Sequence, residues 1–303
     1  MSEGHEGSVE SSVMIHTAAS LTPTELAEVR ALKAVCDAAD GLDLKLSWGD
    51  EASECARVFL ARDGSRLIGF CALDGEGAVA ELCGMVAPEA RRRGVGMRLF
   101  EAARLAFKQG GGDQLYIICE NASEAGRAFV AALSGQRVFS EYRMRLRSDA
   151  PITTDATLVI RELTSGDEDE LVAAARITAA GFARSFEQTL RGMRKDLTRS
   201  EERPYLALAD SKPVGAFKLS TVELGTTGIY GFTVDPARQR QGWGRRMLAQ
   251  ASALAWAQGA ERVTLEVETN NERAIALYTS SGFETITTYG YYLLSRSLIA
   301  GGR

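Results

Sequence analysis

Val234-Asp235-Pro236-Ala237-Arg238-Gln239-Arg240-Gln241-Gly242-Trp243-Gly244 is the stretch on which the reading of this 303-residue chain turns. The apolar run Ile229–Val234 before it reads as a strand, and a helix follows. In that helix Met247, Leu248, Ala251, Leu254 and Ala255 share one face at helical spacing. A strand that enters a glycine turn and then a helix aims unpaired backbone N–H groups at one point. The helix dipole adds partial positive charge there. Glycines at 242 and 244 let a bulky anion approach the backbone without Cβ clashes. The pattern is neither a G-x-G-x-x-G dinucleotide fingerprint nor a G-x-x-x-x-G-K-[ST] phosphate loop.

The arrangement occurs a second time, 148 residues earlier, as Val86-Ala87-Pro88 followed by Arg91-Arg92-Arg93-Gly94-Val95-Gly96. It again follows an apolar run, Ala80–Val86, and precedes a periodic helix. A single G-x-G is an ordinary turn, but two copies at equivalent places point to two related domains that each receive an anion. The remaining elements follow the same order in both halves. Strands are predicted at Val13–Thr17, Arg57–Ala61, Leu67–Leu73, Leu115–Cys119, near Val138 and at Glu141–Leu146. In the second half they fall at Leu158–Glu162, Tyr205–Ala209, Val214–Leu219, Arg262–Val267 and within Phe283–Leu294. Helices are predicted from Thr22-Pro23, where Thr22 is a cap and Pro23 fits the first turn, at Asp167–Phe182, Phe186–Leu197 and Glu272–Thr279, and from Asn121 to about Ser134. The polar, Pro-containing stretch 149–156 reads as the linker. The expected organisation is a frayed tail over 1–12, one domain over 13–148 and a second over 157–299.

Composition is that of a globular protein, 45% hydrophobic and 25% charged, which excludes a mainly disordered chain. No stretch approaches the apolar length of a membrane span, and the start lacks a signal-peptide pattern. A net charge of −5 argues against nucleic-acid binding. Five cysteines without a CxxC pair, and only His5 and His16, offer neither a disulfide framework nor a metal site. A reducing cytoplasm is the expected location.

Q/R-x-x-G-x-G after a strand resembles the acyl-CoA pyrophosphate signature of the GNAT N-acetyltransferases. Downstream, Leu265-Glu266-Val267, then Asn271-Glu272-Arg273-Ala274-Ile275-Ala276-Leu277-Tyr278 and Ser281-Gly282-Phe283 are similar to the L-E-V, N-x-x-A-I-x-L-Y and x-G-F motifs of the branch that acetylates protein N-termini, ribosomal-protein alanine included. These motifs cover about half of the C-terminal domain. Element order and the glycine turn extend the likeness to the first half, and the tandem arrangement is similar to two-domain bacterial GNATs, mycothiol synthase among them. The resemblance implies an α+β fold in which each domain is a mixed, mostly antiparallel sheet flanked by helices. It implies acetyl-CoA as co-substrate, a primary amine of a small molecule or a peptide or protein N-terminus as acceptor, and no metal. The chain would act as a monomer or homodimer.

By the same resemblance Gln239, Arg240, Gln241, Gly242, Trp243, Gly244 and Arg245 hold the pyrophosphate, while Phe232, Thr233 and Val234 offer backbone groups to the pantetheine arm and the thioester oxygen. In the first half Val86, Arg91, Arg92, Gly94 and Gly96 match. Tyr278 matches the proton donor to the departing thiolate; from periodicity alone it reads as a core tyrosine. Glu266 matches the general base, with Glu268 or a water relay in reserve; alternatively it is a carboxylate on a solvated sheet face. Asn271 matches an amide that bonds the CoA arm, and it also reads as the cap of the next helix. Aligning Asn121 with Asn271 places Tyr116 where Glu266 stands and Ala128 where Tyr278 stands, so the first domain is expected to have lost catalysis. Cys119 reads as a buried strand cysteine rather than a nucleophile. The basic stretch Arg184–Arg203 reads as a solvated helix face, or as an edge suited to an acidic acceptor. The competing reading is a non-catalytic acyl-CoA-binding or regulatory module; a phosphate- or RNA-binding protein ranks third.

Overall fold

The computed structural model describes residues 13–46, 57–76 and 78–301; the expected tail at 1–12 and Cys55 lie outside them. Chain contacts divide into two compact units, one built from the chain up to Ser140 together with the segment from Thr288 onward, the other from Glu141–Thr287. The division does not fall in the stretch 149–156, and the last strand of the chain returns to the first unit.

The first unit contains β1 (Met14–Ala18), α1 (Pro23–Asp40), β2 (Arg57–Asp63), β3 (Arg66–Glu76), β4 (Val79–Val86), α2 (Val95–Gln109), β5 (Gln114–Glu120) and α3 (Glu124–Ala132). β6 (Gln136–Leu146) begins in this unit and ends in the next. The second unit continues with β7 (Leu158–Glu162), α4 (Glu168–Phe182), α5 (Phe186–Asp196), β8 (Glu202–Ala209), β9 (Lys212–Glu223), β10 (Thr226–Val234), α6 (Trp243–Ala257), β11 (Arg262–Glu268) and α7 (Glu272–Ser280). β12 (Phe283–Leu293) leaves it for the first unit, where α8 (Arg296–Ala300) ends the described chain. Val138 and Glu141–Leu146, read from sequence as separate strands, are one strand, because no turn residue separates them. The same holds for Phe283–Leu293.

Sheet order in the first unit is β1-β2-β3-β4-β5-β12, and in the second β6-β11-β10-β9-β8-β7. Among the described residues, the ladders within each unit are antiparallel except β4/β5 and β10/β11. The hairpin between β8 and β9 turns at Asp210-Ser211, both left-handed (φ 49° and 61°), as a tight two-residue hairpin requires. α1 opens on a capping box in which the Glu25 N–H donates to Thr22 Oγ1 and the Thr22 N–H to Glu25 Oε2, and it stops at left-handed Gly41.

Two apolar layers cover the sheet of the second unit. Met247, Leu248, Ala251 and Ala255 of α6 pack with Phe217, Leu219, Ile229, Val263 and Leu265. A smaller cluster joins Leu171, Ala174 and Ile177 of α4 to Leu206, Leu208 and Ala216, with Leu190 and Met193 of α5 beside it. The first unit is organised around Phe59, Phe70 and Phe100, all at most 1% exposed.

From the start of β4 to the end of α3 the first unit repeats the second at an offset of 148 residues. α2 and α6 begin at Val95 and Trp243, β5 and β11 at Gln114 and Arg262, α3 and α7 at Glu124 and Glu272. The two copies of the glycine turn therefore sit at the same place in two copies of one scaffold.

Candidate active site

The site begins where two parallel strands part. β10 and β11 are paired from Thr226↔Arg262 to Ile229↔Leu265 and no further. On its other side β10 shifts register against β9 between Tyr230 and Thr233, with Gly231 at φ 57°. A bulge of this kind turns the strand away from its neighbour and leaves backbone groups without a ladder partner. Phe232 lies in this diverging segment, whereas Thr233 and Val234 have rejoined β9 opposite Ala216 and Gly215.

The turn that follows has the conformation an anion cradle needs. Arg240 is left-handed at φ 63°, Gly242 at φ 83°, and α6 starts on Gly242 with no side chain capping it. The first-turn N–H groups of Trp243, Gly244 and Arg245 have no partner inside the helix, by helix geometry. A Cβ at Gly242 would meet nothing within 4 Å, so that glycine is required by its φ and leaves open space above the turn. At Gly244 packing is close: a Cβ there would lie 3.2 Å from Leu277 Cδ2, which would have to shift by a few tenths of an ångström.

Side chains of the motif are mostly engaged with the protein. Gln239 Nε2 donates to the Val234 carbonyl at 3.3 Å, and its Oε1 accepts from Arg273 at 2.9 Å. Arg245 donates to the Ser280 carbonyl and hydroxyl at 3.0 and 2.8 Å. Trp243 Nε1 donates to Gln241 Oε1 at 3.3 Å, while the Arg246 guanidinium stacks 4.0 Å from the Trp243 ring centroid. The turn thus offers backbone N–H groups held in place by side chains, rather than a ring of free cations.

Tyr278 projects from α7 and is 7% exposed. Its ring meets Phe232 edge-on (centroids 6.3 Å, 69°) and lies 6.2 Å from Phe283. Burial pushes the phenol up to about 12, so it is protonated across the physiological range. Glu266 stands opposite Arg143 in the β6/β11 ladder, and Arg143 Nη2 lies 3.2 Å from Glu266 Oε1. Both side chains are about 10% exposed, so in place of the alternative reading, a carboxylate on a solvated sheet face, the structure has a covered ion pair. Asn271 caps α7, accepting from the Ala274 N–H at 3.1 Å.

Sequence reasoning missed two parts of this region. One is Arg143, which comes from the strand that follows the first repeat. The other is a charged cluster: Lys218, opposite Tyr230 in the β9/β10 ladder, lies 3.3 Å from Asp196 and 3.1 Å from Glu202. Burial outweighs these cations and raises the Asp196 carboxyl. The basic stretch is largely engaged locally: Arg194 pairs with Glu168, Arg199 with Asp196, Glu201 and Glu202, and Arg184 lies 5.4 Å from the Phe182 ring centroid.

The sequence profile of the acetyltransferase (GNAT) family matches residues 164–283, and a second profile, for an acetyltransferase (GNAT) domain, matches 54–133. A mycothiol acetyltransferase of Clavibacter michiganensis is 31% identical over 79% of this chain and 80% of its own length. One of Kineococcus radiotolerans is 31% identical over 86% and 90%. The chain belongs to the GNAT acetyltransferase family. Its tandem fold is shared with a tandem GNAT protein from the clavulanic acid biosynthesis pathway (TM-score 0.70, 17% identity, 94% of this chain and 98% of that one). It is shared equally with a GCN5-related N-acetyltransferase from Sphaerobacter thermophilus (TM-score 0.69, 17% identity, 93% and 96%). The enzyme is an N-acetyltransferase, and its family uses acetyl-CoA as co-substrate.

In this GNAT protein the first unit has the same strand parting and the same turn. β4 and β5 pair only from Val79↔Gln114 to Leu82↔Ile117. Arg92 (φ 62°) and Gly94 (φ 79°) repeat the backbone of Arg240 and Gly242. Arg91 occupies the place of Gln239 and likewise clamps the preceding strand, donating to the Val86 carbonyl at 3.1 Å while making two bonds to Asp40 at 2.9 and 2.7 Å. A Cβ at Gly96 would lie 3.4 Å from Phe129 Cε2, paralleling Gly244. The constant offset corrects the alignment expected from Asn121. Ser123, which caps α3, matches Asn271; Ile118 then stands at the place of Glu266, and Val130 at that of Tyr278. Tyr116 and Ala128 are not the equivalents, because the helix starts two residues later than the Asn121 match assumes. Cys119 is 6% exposed and its thiol is pushed up to about 11 by burial, as a structural strand cysteine would be.

Proposed function

We propose that the second unit is the catalytic one, moving an acetyl group from acetyl-CoA to a primary amine with Tyr278 and Glu266 as acid and base. The observation that carries this reading is Tyr278: a buried, protonated phenol packed on Phe232 of the diverging strand, beside an uncapped helix start able to receive a pyrophosphate.

The chemistry follows from these placements. The pyrophosphate meets the N–H groups at Gly242–Arg245, and the pantetheine arm lies along the open edge of Tyr230–Val234, whose backbone groups polarise the thioester oxygen. Glu266 takes a proton from the incoming ammonium, directly or through water. The neutral nitrogen attacks the carbonyl carbon, a C–N bond forms, and the C–S bond breaks as the tetrahedral adduct collapses. Tyr278 gives its proton to the leaving thiolate, and the second proton that the nitrogen sheds in becoming the amide restores the phenol, directly or through water. Arg143 pairs with the Glu266 carboxylate and fixes its position. The names of the relatives favour a small-molecule amine related to mycothiol, while the C-terminal motifs favour a peptide N-terminus. Phosphate-turn geometry leaves that choice to the acceptor side of the site. In the first unit Arg91, Arg92, Gly94 and Gly96 with Val86 form a second acyl-CoA site without the acid or the base.

The test is thiol release from acetyl-CoA with amine and peptide panels, alongside calorimetric titration of acetyl-CoA. Turnover that falls at least 100-fold in Tyr278→Phe with acetyl-CoA affinity kept supports the reading. Acetyl-CoA binding without thiol release with any amine would instead mark a non-catalytic acyl-CoA module.

A further inference from the structure

Glu266 sets the side of the sheet from which an amine can reach it. Its neighbours Leu265 and Val267 belong to the apolar layer under α6, so strand alternation turns Glu266 to the opposite face. α4 covers that face: Ala216 of β9 packs with Leu171, Ala174 and Ile177. Lys218 lies two residues beyond Ala216, and Tyr230 stands opposite Lys218, so both share the face with Glu266. The Tyr230 ring lies across Gly228, where it leaves no room for a Cβ. The polar part of the face therefore lies beside the bulge of β10.

α4 approaches β10 closely at this place. A Cβ at Gly181 would collide with the Thr233 hydroxyl, so the glycine sets the helix down on the strand just past the bulge. Thr178 lies one turn earlier on the same face of α4. It is 8% exposed, and its hydroxyl has no hydrogen-bond partner among the described residues. A helical threonine can give its proton to the carbonyl one turn back, as Thr189 of α5 does to Ser185 at 2.8 Å. Thr178 makes no such bond. An unpaired buried hydroxyl costs stability, and its place in a folded protein calls for a partner that arrives with a ligand.

We propose that the Thr178 hydroxyl binds the acceptor: it accepts one N–H of the incoming amine and holds the nitrogen beneath α4 while Glu266 takes the proton. The proposal rests on the reading of the second unit as catalytic with Glu266 as base. It gives α4 a part in setting the acceptor and none in holding acetyl-CoA.

The experiment compares wild type, Thr178→Val, Thr178→Ser and Tyr278→Phe as full-length proteins. Thiol release is followed with glucosamine and with a peptide beginning with alanine, acetyl-CoA affinity by calorimetry, and stability by urea melts. Thr178→Val keeps the side-chain shape and removes the hydroxyl. Its kcat/KM for the amine should fall by about 5- to 10-fold, the loss of one hydrogen bond, with acetyl-CoA affinity kept. Thr178→Ser should recover most of that loss. The urea midpoint of Thr178→Val should equal or exceed that of wild type, because no hydrogen bond within the protein is broken. A less stable Thr178→Val gives the hydroxyl a structural partner and overturns the proposal, whatever the activity. An unchanged kcat/KM for the amine, or an equal loss in acetyl-CoA affinity, overturns it as well. If Tyr278→Phe loses turnover while Thr178→Val keeps it, only this proposal falls. If Tyr278→Phe keeps turnover, or wild type releases no thiol with either amine, the catalytic reading falls and takes the proposal with it.

Discussion

Cutting the chain at its Pro-containing linker should destroy the first unit, although the linker is where sequence places the domain boundary. A fragment of residues 1–148 lacks β12 and α8. In the intact chain β12 supplies the strand beside β5, from Tyr289↔Glu120 to Leu293↔Tyr116. It buries Tyr289 and Tyr291 at 0% and 2% exposure, and Leu294 and Ile299 follow at 2% and 5%. α8 is fastened to α2 by Arg104, which donates to the Ile299 carbonyl at 2.9 Å, and by Lys108, which donates to the Ala300 carbonyl at 2.9 Å. Four buried apolar side chains at about 1.5–3 kcal/mol each come to roughly 6–12 kcal/mol. That matches the whole stability of a typical domain, about 5–15 kcal/mol. The fragment should show no cooperative thermal transition by circular dichroism. Residues 1–140 joined through a short flexible linker to 288–303 should regain one. A sharp two-state melt from the 1–148 fragment, close to that of the full chain, would refute the assignment of β12 to the first unit's fold.

Tyr278→Phe should also remove a pH dependence of stability. The folded phenol is raised to about 12 by burial against about 10 in the unfolded chain, so its contribution is whole below pH 10 and is lost as pH rises towards 12, by on the order of 2–3 kcal/mol. In urea melts wild type should lose more stability than the variant between pH 9 and pH 11. Arg143→Ala removes the cation beside the covered Glu266 carboxylate; loss of a buried pair's partner costs up to about 3–5 kcal/mol, and Arg143→Lys should recover part of it in the same melts. Lys218→Met, which leaves Asp196 and Glu202 only the more distant Arg199 as a shared cation, should change KM for the amine by more than it changes the dissociation constant of acetyl-CoA. Equal effects on both would detach this charged cluster from the acceptor.

The turn was legible because its conformation is written in residue types and because it occurs twice. Gly242 and Gly94 mark left-handed positions, and Pro236 and Pro88 mark the short turns before them. Helix α6 was legible from periodicity, since its buried positions Met247, Leu248, Ala251 and Ala255 recur at helical spacing. Arg240 and Arg92 were not, because an arginine at φ 63° or 62° is forced by its surroundings rather than favoured by its own side chain. Glu266 was read correctly as a face residue of β11, but its partner depends on which strand lies beside β11, and pairing between distant segments leaves no local trace. The engagement of Gln239 and Arg245 with Val234 and Ser280 was hidden for the same reason.

The strand exchange bears directly on how the two repeats came to differ. Arg143 follows the first repeat in sequence, yet its guanidinium covers Glu266 in the second unit. Tyr289 follows the second repeat, yet its hydroxyl donates to the Asp43 carbonyl and, with Tyr291 on Lys45, pins residues 41–46 as a strap over the first unit's cavity. Each unit therefore depends on a strand encoded after the other repeat. A substitution in β6 acts on the Glu266 carboxylate, and one in β12 acts on the first unit's cavity. Replacing the first repeat with a copy of the second would restore a carboxylate at 118 and a phenol at 130, but it would leave Tyr289 and Tyr291 fastening the strap. If the strap is what withholds an amine from that cavity, such a chimera should gain acyl-CoA-facing acid and base groups and still release no additional CoA thiol. Additional thiol release in it, with the second unit silenced by Tyr278→Phe, would show that Ile118 and Val130 alone account for the loss of catalysis.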